Sequence, residues 1–300
     1  MSLTAFILII SSATLHATWN LIAKKSKAKL TFYAATSTTA TLIWAHCQFW
    51  TPVKLTELPP LFWLMVAGSV TSDTIYALGL IRCYRTMDMS SAYPMMRSIP
   101  LLLTAGVTAA LGIGKALTLQ AAIGMGIVFC GCLMIPLAKF SDFKLSHYLN
   151  RNTLFLLTVA CGTTGYTIFD SQAQAVMRST LPEIHKPLLS MTYYSTRGLL
   201  LALVLWLIIF SLKNERQNLA DIISRRDLSP FLAGLAASGT YILVLFAMNY
   251  VSNVSYVQVF RQLGLVLGVA AGIFILKEKC TLPKIAGVTL IITGLILSVL

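Results

Sequence analysis

The chain has 300 residues, 57% hydrophobic and only 11% charged, with a formal net charge of +13. Soluble domains carry about 25% charged residues, so this composition excludes a soluble enzyme and, despite the positive charge, a soluble nucleic-acid-binding domain. Ten windows are apolar over about 20 residues, the length needed to cross a bilayer core of about 30 Å: 3–23, 30–50, 60–81, 90–111, 116–138, 153–176, 187–211, 229–250, 253–276 and 282–300. The expectation is an all-α integral membrane protein of ten transmembrane helices.

The first span has no basic start and its lysines follow it, so it reads as a retained helix, not a signal peptide. One of its faces stacks Ser12, His16 and Asn20. The third carries Ser69, Asp73 and Tyr76 at the i, i+4, i+7 spacing of one helical face. In the fourth, "SSAYPMMRSIPLLL", Arg97 lies between Pro94 and Pro100, with Tyr93 one turn earlier. Each proline removes a backbone hydrogen bond, so this span is expected to be kinked and irregular, its arginine facing a cavity. The sixth span groups Tyr166, Thr167 and Asp170, the seventh sets Tyr193 and Tyr194 one turn before Arg197, and the eighth offers Ser238 and Tyr241. In the ninth, Gln258 and Gln262 flank Arg261, and Gly264, Gly268 and Gly272 form small-xxx-small steps for close helix packing.

Sixteen lysines and arginines fall in alternate loops: those at 24–29, 82–85, 139–151, 213–226 and 277–284. The other loops hold four, Lys54, Lys115, Arg178 and Lys186. The positive-inside rule puts the sixteen in the cytoplasm and both termini outside. The remaining three, Arg97, Arg197 and Arg261, lie within spans with Asp73 and Asp170. An ionised side chain near a helix centre costs about 2.5–3.5 kcal/mol on insertion scales, on the order of 12–18 kcal/mol for the five. Mutual pairing or a polar cavity must offset that cost, and three arginines outnumber two aspartates.

The chain repeats internally. Ser91 and Arg97 match Ser255 and Arg261 at an offset of 164, and Thr118, Gly124 and Gly131 match Thr281, Gly287 and Gly294 at 163. "HATWN" at 16–20 parallels "YTIFD" at 166–170. The halves, 1–138 and 153–300, are joined by a cytoplasmic loop at 139–152. Each contains five spans, an odd number, so the copies cross the membrane in opposite directions. Such inverted repeats are common in secondary transporters, whose substrate site lies between them near the midplane.

With its ten spans, minimal loops and the C-terminal stretch "FILKEKCTLPKIAGVTLIITGLIL", including Glu278 and Gly287, the sequence resembles the EamA-type branch of the drug/metabolite transporter superfamily. It departs from the family pattern in the first half, where Lys115 falls near the position of the acid. The resemblance implies two inverted five-helix repeats around a central cavity, lined mainly by the third, fourth, eighth and ninth spans. The first, second, sixth and seventh would surround it, with the fifth and tenth peripheral.

Catalytic patterns are absent. Gly114-Lys115 lacks the first glycine and the Ser/Thr of a phosphate-binding loop, and HExxH and GxSxG do not occur. The six cysteines fit no zinc or thioredoxin spacing and read as packing residues. No cofactor, metal or enzymatic activity is expected. The expected function is secondary active transport of a small polar metabolite, zwitterionic or anionic and amino-acid-like, by alternating access. Arg97, Arg261 and Arg197 would hold an anionic group, since guanidinium matches carboxylate geometry. Asp73 or Asp170 would meet an amine or carry a coupling proton, with Tyr93, Gln258, His16, Asn20, Tyr166 and Tyr241 completing the site. The alternatives are a carrier of organic cations caged by tyrosines and a lipid-headgroup flippase. The setting expected is a plasma membrane of the bacterial inner-membrane kind, with the chain a monomer or homodimer that binds no nucleic acid.

Overall fold

The computed structural model describes residues 3–25, 29–86, 89–143, 153–274, 277 and 279–298, without the side chains of 17–25, 84, 89–94 and 271–272. Helices run α1 Leu3–Lys25, α2 Leu30–Ala45, α3 Pro60–Thr86, α4 Met89–Ala110, α5 Leu119–Met134, α6 Thr153–Thr180 and α7 Lys186–Ser211. They continue as α8 Lys213–Ser224, α9 Ser229–Met248, α10 Ser255–Phe260, α11 Leu263–Phe274 and α12 Leu282–Leu297. The described residues form no strand.

Among the described residues, three stretches are long and apolar enough to cross a membrane: Pro60–Cys83, Lys186–Ser211 and Ser229–Met248. Leu3–His16, Met95–Ala110, Leu119–Met134 and Leu282–Leu297 are shorter apolar helices. At about 1.5 Å per residue, the 16 residues of α5 reach about 24 Å, somewhat less than a bilayer core. The polarity of the bundle is inverted relative to a water-soluble protein. Leu64, Leu203, Leu207, Phe210, Leu232 and Ile296 are exposed, while Asp73, Asp170, Arg197 and Arg261 are buried. Apolar surface on this scale belongs against lipid, not water. The chain is an all-α membrane protein.

The main packing pairs join the two halves. α1 packs on α9, α3 on α6, α5 on α12, and α2 on both α7 and α9; α4 lies against α5 and α6. Close approach rests on glycines. A Cβ on Gly131 would stand 2.7 Å from the carbonyl oxygen of Gly287, and one on Gly287 2.8 Å from that of Gly131. At the α3–α6 crossing, a Cβ on Gly162 would stand 2.6 Å from the backbone nitrogen of Tyr76.

The prolines of α4 leave it continuous from Met89 to Ala110, whereas the irregularity expected there occurs in the matching ninth span, between α10 and α11 at Arg261–Gln262. Neither residue is a proline or glycine. The break holds because its carbonyls find other partners. The hydrogen bonds shorten to the i+3 pattern, Gln262 N to Val259 O at 3.1 Å and Gly264 N to Arg261 O at 3.1 Å. The carbonyl of Gln258 takes the Gln262 side chain at 3.2 Å.

The connection read as a loop between the seventh and eighth spans contains α8. Its Glu215 is buried and accepts from Thr31, from the backbone N–H at 3.1 Å and the hydroxyl at 2.8 Å, with Arg85 Nη2 at 3.7 Å. At the opposite ends of the helices, the 111–118 and 249–254 connections are tied together. Lys115 N donates to Ser252 O at 3.0 Å, and Asn253 Nδ2 donates to Lys115 O at 3.0 Å. Gly114 permits this contact by its positive φ of 75°.

Candidate functional site

Three of the five intramembrane charges form one cluster. Arg197 Nη2 lies 2.5 Å from Asp73 Oδ2, and its Nε lies 3.5 Å from Asp170 Oδ1. The helical spacing brings this about. Ser69 and Asp73 share a face of α3, Tyr166 and Asp170 a face of α6, and Tyr193 and Arg197 a face of α7, each pair one turn apart. Ser69 bridges them, accepting from Arg197 Nε at 2.9 Å and donating to Asp170. Asp170 also accepts from the hydroxyls of Tyr193, at 2.5 Å, and Tyr241. Asp73 accepts from Tyr33 at 2.7 Å. The Arg197 guanidinium faces the rings of Tyr241 and Tyr166, with centroids 5.3 and 5.9 Å away. Two carboxylates, held by four hydroxyl donors, thus surround a single guanidinium, an arrangement in which buried charges are mutually satisfied.

Arg97 and Arg261 form a second group. The Arg97 guanidinium donates to the backbone carbonyl of Arg261, and Gln262 Nε2 donates back to the Arg97 carbonyl at 2.9 Å. Among the described residues, the Arg261 guanidinium makes no ion pair or hydrogen bond. Gln258 Nε2 donates to Thr167 Oγ1 at 2.5 Å, tying α10 to α6.

Two cavities adjoin these groups. The larger, of about 120 Å³, is bordered by Asp73, Arg197, Tyr33, Tyr166, Tyr241 and Arg261, among others. The smaller, of about 40 Å³, is bordered by Arg97, Arg261, Gln258, Gln262, Tyr166 and Thr163. His16, Tyr76, Tyr166 and Arg261 border both. The larger cavity draws on α1, α2, α3, α6, α7 and α9, so α4 does not line it as the family resemblance implied; Arg97 reaches only the smaller one.

Of the residues singled out in the sequence, Arg197, Asp73, Asp170, Tyr166 and Tyr241 gather in the first group, and Arg97, Arg261, Gln258 and His16 at the second. The side chains of Asn20 and Tyr93 lie outside the described residues. Sequence reasoning missed α2, which contributes Tyr33, Thr36, Ser37, Ala40 and Thr41 to the larger cavity. Their i, i+3, i+4, i+7, i+8 spacing is a stripe of hydroxyl and small residues in "LTFYAATSTTATL", a signal present but carrying no charge to draw attention.

Comparison with known proteins agrees with this architecture. A solved structure described only as "Crystal structure of protein" aligns over 98% of this chain and 96% of its own, with a TM-score of 0.64 at 14% identity, a likeness of fold alone. No curated protein matches the chain in sequence. Residues 154–300 match the sequence model of the EamA-like transporter family. That stretch, just under half of the chain, is what the sequence shares with the EamA-like transporter family, which is part of the drug/metabolite transporter superfamily.

Proposed function

We propose that the protein is a secondary active transporter of a small zwitterionic, amino-acid-like metabolite, working by alternating access between two inverted five-helix repeats. The observation that carries the substrate reading is that Asp73 and Arg261 border the same cavity. Arg197 is already matched by two carboxylates, so it serves as the fixed counter-ion of the acidic group. The Arg261 guanidinium is left to take the substrate carboxylate, with Arg97 bound to its backbone from behind. Asp73 meets the amine or carries a coupling proton; Asp170 does not border either cavity.

The inverted repeat gains support from the packing. α1 on α9 is the counterpart of α6 on α3, and α2 on α9 that of α7 on α3. Thr118 and Thr281, matched in sequence, both cap their helices, accepting from Ala121 N and Lys284 N. Gly124 meets Gly294 while Gly131 meets Gly287, the crossing expected of oppositely directed copies. The sixteen-to-four basic asymmetry favours a plasma membrane setting with both termini external. The reading takes the working unit as a monomer or homodimer in lipid, without nucleic acid.

Five tyrosines, Tyr33, Tyr76, Tyr166, Tyr194 and Tyr241, border the cavity beside Asp73. They favour a second reading, an organic-cation carrier with an aromatic cage. Proteoliposomes preloaded with unlabelled amino acids, assayed for uptake of labelled ones, separate the two. Counterflow of amino acids that is lost in both Asp73→Asn and Arg261→Lys supports the zwitterion. Counterflow confined to quaternary ammonium compounds and unaffected by Arg261→Lys would replace it with the cation carrier.

A further inference from the structure

At the end of the bundle that gathers the basic loops lies a groove of about 820 Å³, several times larger than either interior cavity. It is bordered by the last turns of α3, the first turns of α2 and α6, and α8. Leu78, Ile81, Arg82 and Arg85 recur on its border at i, i+3, i+4 and i+7, so a single face of α3 grades from apolar to cationic as it nears the helix end. Leu30 of α2 and Phe155 of α6 extend the apolar part, and Lys213 of α8 adds a third cation. Glu215 is the one carboxylate among the described residues of the border; it is already engaged by Thr31 and lies 3.7 Å from Arg85. Among the described residues, Arg82 and Lys213 make no ion pair. Leu78 and the neighbouring Leu212 are exposed, and on a membrane-spanning bundle that exposure is toward the bilayer.

An occupant must satisfy both parts of the groove. A water-soluble anion would meet the cations and leave the apolar floor uncovered. An uncharged lipid would cover the floor, yet three cations against one carboxylate leave two positive charges unmatched. We propose that the groove is a binding site for an anionic phospholipid of the adjoining leaflet, its phosphate held by Arg82, Arg85 and Lys213 and an acyl chain lying along Leu78 and Phe155. Guanidinium takes phosphate oxygens in a two-pronged fashion, and basic pockets between membrane helices suit anionic headgroups. The side-chain amides of Asn214 and Asn218, on the same border, supply further donors for the headgroup. Bound there, the lipid bridges α3 of the first half to α8 of the second. None of these residues borders the interior cavities, so the site is independent of the identity of the transported substrate.

The test is native mass spectrometry of the purified full-length protein in detergent, titrated with phosphatidylglycerol or phosphatidylcholine. The expected result is saturable binding of phosphatidylglycerol, about tenfold or more tighter than that of phosphatidylcholine. Arg82→Gln/Lys213→Gln should weaken that binding about tenfold or more, at roughly fivefold per charge lost. Lys139→Gln/Lys279→Gln, which removes two exposed charges at the same end but outside the groove, should keep the parent affinity. Leu78→Trp, which fills the apolar floor and leaves every charge in place, should also weaken binding, and it decides the matter should the first variant fail to fold. Equal binding of the two lipids, an equal loss in the two charge variants, or full binding in Leu78→Trp overturns the site. Displacement of the lipid by glycerol phosphate would replace it with a site for a soluble phosphate.

Discussion

Arg97 and Arg261, in matching positions of the two halves, are joined by a hydrogen bond from the Arg97 guanidinium to the Arg261 backbone carbonyl. The bond is one half of a reciprocal clamp. Gln262 Nε2 donates to the carbonyls of Arg97 and Gln258. Helix ends leave carbonyls without intrahelical partners, and inside a membrane there is no bulk water to satisfy them. The clamp supplies those partners and so stabilises the break between α10 and α11.

The clamp should be measurable. A net hydrogen bond contributes about 0.5–1.5 kcal/mol, so Gln262→Ala, which removes two, should lower stability by about 1–3 kcal/mol. Arg97→Ala should also destabilise, and the double variant should lose less than the sum, because both act on one break. Unfolding titrations in mixed detergent check this. Strict additivity would mean that the two contacts are energetically separate.

The α5–α12 contact yields a contrast between glycines of one helix. Gly131→Ala places a methyl 2.7 Å from the Gly287 carbonyl oxygen, backbone that cannot rotate away. At Gly126 an added methyl meets nothing within 4 Å. Gly131→Ala should destabilise by about 1–3 kcal/mol through forced separation of the helices. Gly126→Ala should be neutral or slightly stabilising, since alanine is the better helix former. Thermal melts of the two purified variants suffice to compare them.

The parts of this fold that were legible in the sequence were those with a large energetic signature. Apolar windows marked the helices, and the five charges within them marked the interior, because ionised groups in a membrane must face one another or a cavity. The pairing scheme was not legible, since Arg97, Arg197 and Arg261 offer the same chemistry and only the α3–α6–α7 packing selects Arg197 for both aspartates. The helix break was misplaced for a related reason. Pro94 and Pro100 give a strong local signal, yet α4 runs through them. The break at Arg261–Gln262 has no local mark and depends on Arg97, which is 164 residues away. Tyr33 went unnoticed because hydroxyl stripes cost little in a membrane helix and resemble ordinary packing.

Orientation is tested by labelling. With the native cysteines replaced, Lys54→Cys, at an exposed position between α2 and α3, should react with a membrane-impermeant maleimide on intact cells. Ser224→Cys, exposed at the end of α8, should react only in inverted vesicles. The reverse pattern would turn the whole topology over and place the sixteen basic residues outside.

The two aspartates should separate folding from transport. Asp170 is fully buried, accepts from Ser69, Tyr193 and Tyr241, and borders neither cavity. In Asp170→Asn the carboxamide cannot accept at both ends, so its NH2 confronts hydroxyl donors while Arg197 loses a counter-ion. Breaking one partner of a buried ion pair costs about 3–5 kcal/mol, and expression and Tm should fall accordingly. Asp73 also pairs with Arg197, but it borders the larger cavity, where water can enter. Asp73→Asn should cost less, about 1–2 kcal/mol, because Arg197 keeps Asp170 and Ser69. Its main effect should be on counterflow, which should fall at least tenfold in protein that is still folded. Paired measurements of Tm and counterflow on both variants decide the assignment. If Asp73→Asn unfolds the protein as readily as Asp170→Asn, both carboxylates are structural and the substrate amine must be bound elsewhere.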